Sequence, residues 1–338
     1  MKVIFLTSGF KTPSVRFRVL QNLKVWHELG VEAEVVKLPR RNSERLRLLA
    51  QLPIYDIVFL QKRLMHSHSF RVLRWRARLL VYDFDDAVMF DDSNAAALIS
   101  PCKSKRFTTT ISGCDAVCAG NDYLAGQALE AGARRVTVVP TGIDIEHYQP
   151  DLSANVENDK AQPLNLGWIG SQSNLIYLKA LADPINRLYE RRQDFKLTII
   201  CDSFCDDFRC PVECVSWSED IEVKALQGLD IGLMPLVEDP WTKGKCALKL
   251  LQYMACGLPS VATETAVTKK IIREGENGLL AANVEEMVLK IVWLMDHRRQ
   301  MLSIGEKARQ LVVGTYDTRT IAGLYVDFFR NLIRSSRP

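Results

Sequence analysis

Residues 230–263, DIGLMPLVEDPWTKGKCALKLLQYMACGLPSVAT, decide how this chain is built. DIGLMPL (230–236) is short and apolar and reads as a strand, VEDPWTKG as a loop, and PSVAT (259–263) as a second strand. Between them, from Gly244, apolar residues recur at helical spacing. Strand, helix and strand in that order give a parallel sheet covered on both faces, with ligands at the C-terminal ends of its strands. Lys245 and Lys249 are four residues apart, behind Lys243, and would share one face of that helix. A helix N-terminus already carries roughly half a positive charge, so lysines there cost a few tenths of a kcal/mol unless an anion is present. The pair therefore reads as an anion site, against the plainer reading of a solvated face paired with Glu238 and Asp239.

The same alternation extends in both directions. Upstream, VIFLTS (3–8), AEVVKL (33–38), DIVFLQ (56–61), LLVYDF (79–84), AVCAG (116–120) and VTVVP (136–140) are strand-like, with helix-like segments between them. SVRFRVLQNLKVWHELG reads as one helix with Ser14 as N-cap behind Pro13 and Gly30 as its stop. Thr141 to Pro163 is polar and without period. Alternation resumes with LNLGWIG (164–170), a helix over roughly 174–192, LTIIC (197–201), and the opening stretch; residues 283–334 read as helices. The expected organisation is α/β, with two doubly wound parallel-sheet domains of the Rossmann-like kind facing a central cleft. Residues 1–150 form the first and 164–315 the second, joined by a linker at 151–163, with 316–338 a terminal helix returning to the first domain.

Composition excludes several classes. With 338 residues, 47% hydrophobic and 25% charged, the chain is ordinary globular material for two domains. No apolar run approaches the ~20 residues of a membrane span, and the N-terminal apolar run is too short for a signal peptide, so a cytoplasmic location is expected. Nine cysteines suit free thiols in a reducing compartment. Cys201, Cys205, Cys210 and Cys214 are the densest metal candidates, but their spacing departs from paired CxxC, and no metal is expected. Residues 1–80 hold 16 Lys and Arg against 5 Asp and Glu, a field suited to anionic partners. No nucleic-acid recognition module is visible.

Further motifs sit where strands end. GWIGSQSN (167–174) brings glycines between a strand and a helix, suiting close approach to a phosphate through Gly170 and Ser171. SGFKTPSVRFR places Gly9 at a sharp turn, with Arg16 and Arg18 following, and reads either as a second anion cradle or as a plain turn with surface arginines. YDFDD ends a strand with Asp83, Asp85 and Asp86; Asp85 suits accepting a proton or a hydrogen bond from a ligand hydroxyl, and loop capping is the alternative. SHSFRVLRWRARLL (67–80) is basic and aromatic, suited to an anionic membrane surface or simply solvated.

KLLQYMACGLPSVAT, TGID at the linker, GWIGS and the terminal helical segment resemble retaining glycosyltransferases of the GT-B fold, family four (glycosyl transferases group 1). PSVRFRVLQ, FLQKRL, YDFDD, DAVCAGNDYLA and VVPTGIDIEHY resemble a bacterial branch of envelope-polysaccharide synthesis. The resemblance implies a nucleotide-sugar donor, UDP- or GDP-linked, on the C-terminal domain, and a glycan or lipid-linked acceptor on the N-terminal domain. Transfer would retain configuration without metal or other cofactor, in the cytoplasm or peripherally at the inner membrane face. Taken with the motifs above, the expected donor contacts are Gly170, Ser171, Lys245, Lys249 and Gln252, the expected acceptor contacts Gly9, Arg16, Arg18, Lys62 and Arg63, and the expected catalytic residue Asp85. The family's two glutamates fall here on Gly244 and Gln252, and its phosphate-binding Arg and Lys on Trp168 and Ser173. Those departures leave Lys245 and Lys249 as replacement charges. They also admit two other readings, a GT-B sugar-nucleotide epimerase and a catalytically impaired nucleotide-sugar-binding protein.

Overall fold

The computed structural model describes residues 1–95, 97–151 and 163–336. The expected linker, apart from its end residues Asp151 and Pro163, lies outside them. In chain order the first half runs β1 Lys2–Thr7, α1 Pro13–Arg18, α2 Leu23–Glu28, β2 Glu32–Lys37, α3 Asn42–Gln51, β3 Ile57–Gln61 and α4 Ser67–Arg76. It continues with β4 Leu79–Phe84, α5 Pro101–Gly113, β5 Ala116–Ala119, α6 Asp122–Glu130 and β6 Val136–Val138. The second half runs β7 Leu164–Ile169, α7 Leu175–Lys179, α8 Ala182–Tyr189, β8 Phe195–Cys201, β9 Val212–Ser216, α9 Glu219–Gln227 and β10 Ile231–Met234. After these come α10 Leu248–Ala255, β11 Ser260–Thr263, α11 Thr268–Ile271, β12 Leu279–Ala281, α12 Val284–Asp296, α13 Arg298–Leu311 and α14 Thr318–Ser336.

The elements form two compact units. The first comprises Met1–Gly142, Asp239–Cys246 and Tyr316–Pro338, the second Ile143–Glu238 and Ala247–Thr315. Residues 143–150, expected with the first domain, thus group with the second, and the 239–246 loop groups with the first.

In the first unit six parallel strands lie in the order β2-β1-β3-β4-β5-β6. The order reverses between β1 and β3, so their C-terminal ends splay around a crevice, the usual place for a ligand in an open parallel sheet. One face is covered by α14: Tyr325 packs edge-on against Trp26 and Phe59, Phe329 edge-on against Phe59, and Phe5 stacks on Trp26 at 4.6 Å. Phe70, Leu73 and Phe107, from α4 and α5, close the other. The single helix expected over 14–30 is two, broken at Val19, with Thr12 rather than Ser14 at the N-cap and Pro13 in the first turn. Gly30, at φ 82°, does end it.

In the second unit six parallel strands follow the order β12-β11-β10-β7-β8-β9, with the reversal between β7 and β10. Those two strands pair only through Ile231 with Leu166 and Gly232 with Gly167. Beyond that point the Tyr253 hydroxyl bridges them, accepting from Ile169 N at 3.0 Å and donating to Leu233 O at 3.1 Å. Strands β9 and β12 escape the sequence reading. They are edge strands of five and three residues, too short or too exposed to show a buried apolar run.

Candidate functional site

In the first unit the crevice at the β1 and β3 ends is filled with charge. Lys62 follows β3 in a left-handed conformation (φ 54°), and its amide donates to Asp83 O at 2.7 Å. A non-glycine residue held there is strained by about 1–3 kcal/mol, which other contacts must offset. Its ammonium donates to Ser14 Oγ at 2.8 Å and to Asp86, and lies 3.2 Å from Asp85 Oδ1. Burial works against the Lys62 charge, but Asp85 and Asp86 outweigh it and hold the amine well above its ordinary value. Burial likewise pushes the Asp85 carboxyl up, while Lys62 and Arg18 pull it below the usual carboxylate range. An ionised Asp85 can accept hydrogen bonds from hydroxyl groups. Its Oδ1 is buried against the Lys62 ammonium.

Arg18 does not face that crevice as a ligand group. Its side chain is 1% exposed, with Nε 2.8 Å from Asp83 Oδ2, Nη2 2.5 Å from Asp83 Oδ1, and Nη1 donating to Val139 O at 3.0 Å. Tyr325 adds a hydrogen bond to Asp83 Oδ1 at 3.1 Å. All three guanidinium nitrogens are engaged inside the core, which corrects the acceptor-binding expectation. Arg16 is half-buried with its guanidinium 4.7 Å from the Phe17 ring, and Arg63 is exposed after Lys62. Gly9 does not have the positive φ of a sharp glycine turn, and a side chain there would meet open space.

The 239–246 loop lies on the same strand ends of the first unit. Asn121 caps α6 through Oδ1, which accepts from Leu124 N at 2.9 Å, and its Nδ2 donates to Lys245 O at 3.1 Å and Lys243 O at 3.3 Å. Cys246 Sγ donates to Asp85 O at 3.2 Å, and Ser93 Oγ to Asp239 at 2.6 Å. Gly244 is the tight point. A Cβ there would sit 2.5 Å from Ala87 N and 2.6 Å from Ala87 Cβ. A glycine at 244 is thus a packing requirement of this loop.

Lys245 itself is extended (φ −66°, ψ 139°), and Ala247 is left-handed (φ 54°), so α10 begins only at Leu248. The helical four-residue spacing does not apply, and Lys245 and Lys249 share no helix face. Lys245 Nζ stands 5.2 Å from the Trp241 ring in the first unit.

Lys249 belongs to the second unit, in the first turn of α10, whose N-cap Ala247 offers no side-chain acceptor. Its Nζ lies 4.1 Å over the wholly buried Trp168 ring. It also stands beside Gly170, where an added Cβ would come within 2.7 Å of it. Ser171 follows, exposed, accepting from Asn174 Nδ2 at 2.7 Å. Gly170, Ser171, Lys249 and the α10 N-terminus thus gather at the strand-order reversal of the second sheet, where backbone N–H groups and a cation favour an anion. Trp168, read only as a lost arginine, is the shelf that holds the lysine; its position at a strand end next to a glycine was the available signal. Gln252 is not part of this group. It is 3% exposed, with Nε2 bonded to Glu222 and 3.3 Å from the Tyr148 hydroxyl, which itself donates to Glu222 at 2.9 Å. The expected ribose contact is corrected to an interior polar network.

Cys201 and Cys210 are buried and Cys214 is exposed on β9; all nine cysteines are free thiols. Among the described residues no group of three or more Cys, His, Asp or Glu is arranged to hold a metal ion. Nor, among these residues, is any helix long and apolar enough to cross a membrane.

Residues 163–297 match the model of Glycosyl transferases group 1. TuaH of Bacillus subtilis (strain 168), provisionally named a teichuronic acid biosynthesis glycosyltransferase, is 23% identical over 212 residues, 57% of this chain and 52% of TuaH. The chain thus matches about half the length of that relative. Among solved structures, HepE of Anabaena in complex with UDP-glucose superposes with a TM-score of 0.73 at 15% identity, covering 98% of this chain and all of HepE. Sucrose-phosphate synthase of Thermosynechococcus elongatus reaches 0.76 at 12% identity over 99% of both chains. The protein therefore has the GT-B fold, and its second half carries the sequence pattern of glycosyl transferases group 1.

Proposed function

We propose that this protein is a glycosyltransferase that moves a sugar from a nucleotide-sugar donor to a glycan or lipid-linked acceptor, with retention of configuration, in cell-envelope polysaccharide synthesis. The observation that carries the reading is Lys249, held over the Trp168 ring beside Gly170 at the uncapped N-terminus of α10. A leaving diphosphate gains negative charge in the transition state, and a preorganised cation with helix N–H groups stabilises that change. The match of residues 163–297 and the likeness to a UDP-glucose complex support a UDP-sugar as donor. In the first unit, Asp85 offers an ionised oxygen to acceptor hydroxyls, and Lys62 fixes its position.

Lysine and helix terminus supply the charge at the diphosphate, so the transfer is proposed to proceed without metal. Calorimetric titration with UDP, GDP, ADP and dTDP, followed by transfer assays with and without EDTA, tests this. One nucleotide bound tightly, and product formed in EDTA, is the expected result. Conversion of the donor without acceptor would instead identify an epimerase. Binding without any turnover would identify a nucleotide-sugar-binding protein, a reading motivated by the packed glycine at 244 and the interior Gln252.

A further inference from the structure

We propose that the outward face of α3 and α4 in the first unit is a docking surface for an anionic phospholipid bilayer. On α3 and the turn after it, Leu46, Ala50 and Ile54 follow one another at four-residue spacing and are exposed, Leu46 by 68% and Ile54 by 63%. On α4, His68, Arg71 and Trp75 point outward at spacings of three and four, with Trp75 79% exposed. The helices are fastened side by side by Arg76, whose Nε donates to Leu49 O at 2.9 Å and Nη2 to Ala50 O at 3.1 Å. The same guanidinium lies 5.5 Å from the Trp75 ring, which places the indole beside the last turn of α3.

Exposed apolar residues scattered singly mean little. Here a tryptophan, a leucine and an isoleucine occur on neighbouring helices within a basic field. Residues 40–78 contain ten Lys and Arg against two acids, Glu44 and Asp56. Asp56 is already paired with Arg78 at 3.7 Å, while Arg40, Arg41, Arg47 and Arg71 are exposed and without an ion-pair partner among the described residues. Arginines ringing an indole and branched aliphatics match a bilayer's headgroup phosphates and acyl boundary together. A nucleic acid or a soluble polyanion offers the phosphates or sulfates but nothing for Leu46 and Ile54 to bury against. Charge complementarity together with the apolar tips therefore selects the lipid surface.

The test is sedimentation of the full chain with phosphatidylcholine vesicles, with and without phosphatidylglycerol, at two salt concentrations and without nucleotide. Binding is expected only with phosphatidylglycerol, weakening with salt. Arg71→Gln or Arg47→Gln should lower the partition coefficient about fivefold each, and Trp75→Ser about tenfold, with Trp75 emission shifting to the blue on vesicles. These residues are exposed, so the variants should keep the wild-type melting temperature. Absence of binding overturns the proposal, as does wild-type binding by Trp75→Ser together with Leu46→Ser. Equally tight, Trp75-dependent capture by dextran sulfate would overturn it in favour of a soluble polyanion. Because no nucleotide enters the assay, its failure leaves the donor reading of the second unit untouched.

Discussion

The two strand-order reversals differ in kind. In the first unit the crevice is made of opposed charges, Lys62 against Asp85 and Asp86 beside the buried Arg18–Asp83 pair. In the second it is made of one lysine over an aromatic ring, a glycine and a helix N-terminus. A cluster of ion-paired groups presents oriented hydrogen-bonding atoms, which suits a polyhydroxyl ligand. A lysine over an aromatic ring beside helix N–H groups presents converging donors, which on the reading proposed above suits a diphosphate. The same parallel-sheet geometry thus supports two ligand chemistries, decided by which side chains end the strands.

The comparison is broken most severely at Arg18. Replacing it with Met leaves the wholly buried Asp83 carboxylate facing only Tyr325, and should cost about 3–5 kcal/mol in urea unfolding. Adding Asp83→Leu should restore much of that loss, because both buried charges are then gone. If the single variant melts like the wild type, the pair does not organise the first crevice.

Lys249→Ala tests the second crevice directly. Loss of a charge-assisted contact worth ~1.5–3 kcal/mol should weaken nucleoside diphosphate binding about 10- to 100-fold, read by calorimetry. Lys245→Ala should weaken it less, since that lysine is extended and stacked near Trp241 in the first unit. Equal effects would restore the sequence-based view of the two lysines as one site.

Gly244→Glu introduces an acid at the tightest point of the 239–246 loop. Its Cβ would collide with Ala87, so the variant should lose about 1–3 kcal/mol of stability without gaining turnover. A stable variant with higher activity would show that the 239–246 loop need not lie against Ala87.

These contrasts mark where sequence reasoning succeeds. Apolar β-branched runs announced most strands of both sheets, because a strand buried on both faces needs them; β9 (VECVS) and β12 (LLA) were missed because they are short and carry no such run. Chain order gave the Gly170 loop its place at a strand end. The lysine pair failed for a local reason. Nothing in GKCALK announces a left-handed alanine, a conformation that lacks the usual glycine or asparagine signal. Arg18 and Gln252 failed for a tertiary one: their residue types suggest surface and ligand, while partners far along the chain, Asp83 and Glu222, draw them inside.

The smallest expected effect concerns pH. Asp85 has a carboxyl pKa below its ordinary value of 3.8, held down by Lys62 against the opposing effect of burial. A depressed carboxyl contributes stability that is fully present above its unfolded value and is lost as pH falls through the folded value. The wild type should therefore lose an increment of stability below about pH 4 that Asp85→Asn does not lose. Asn keeps the side-chain shape and removes both the charge and its titration, so the pH dependence that separates the two melting curves reports the Lys62–Asp85 pairing. Parallel curves across that range would mean that Lys62 is held by Asp86 and Ser14 alone. Asp85 would then be free to take a proton, and the first crevice would be a base rather than a set of fixed acceptors.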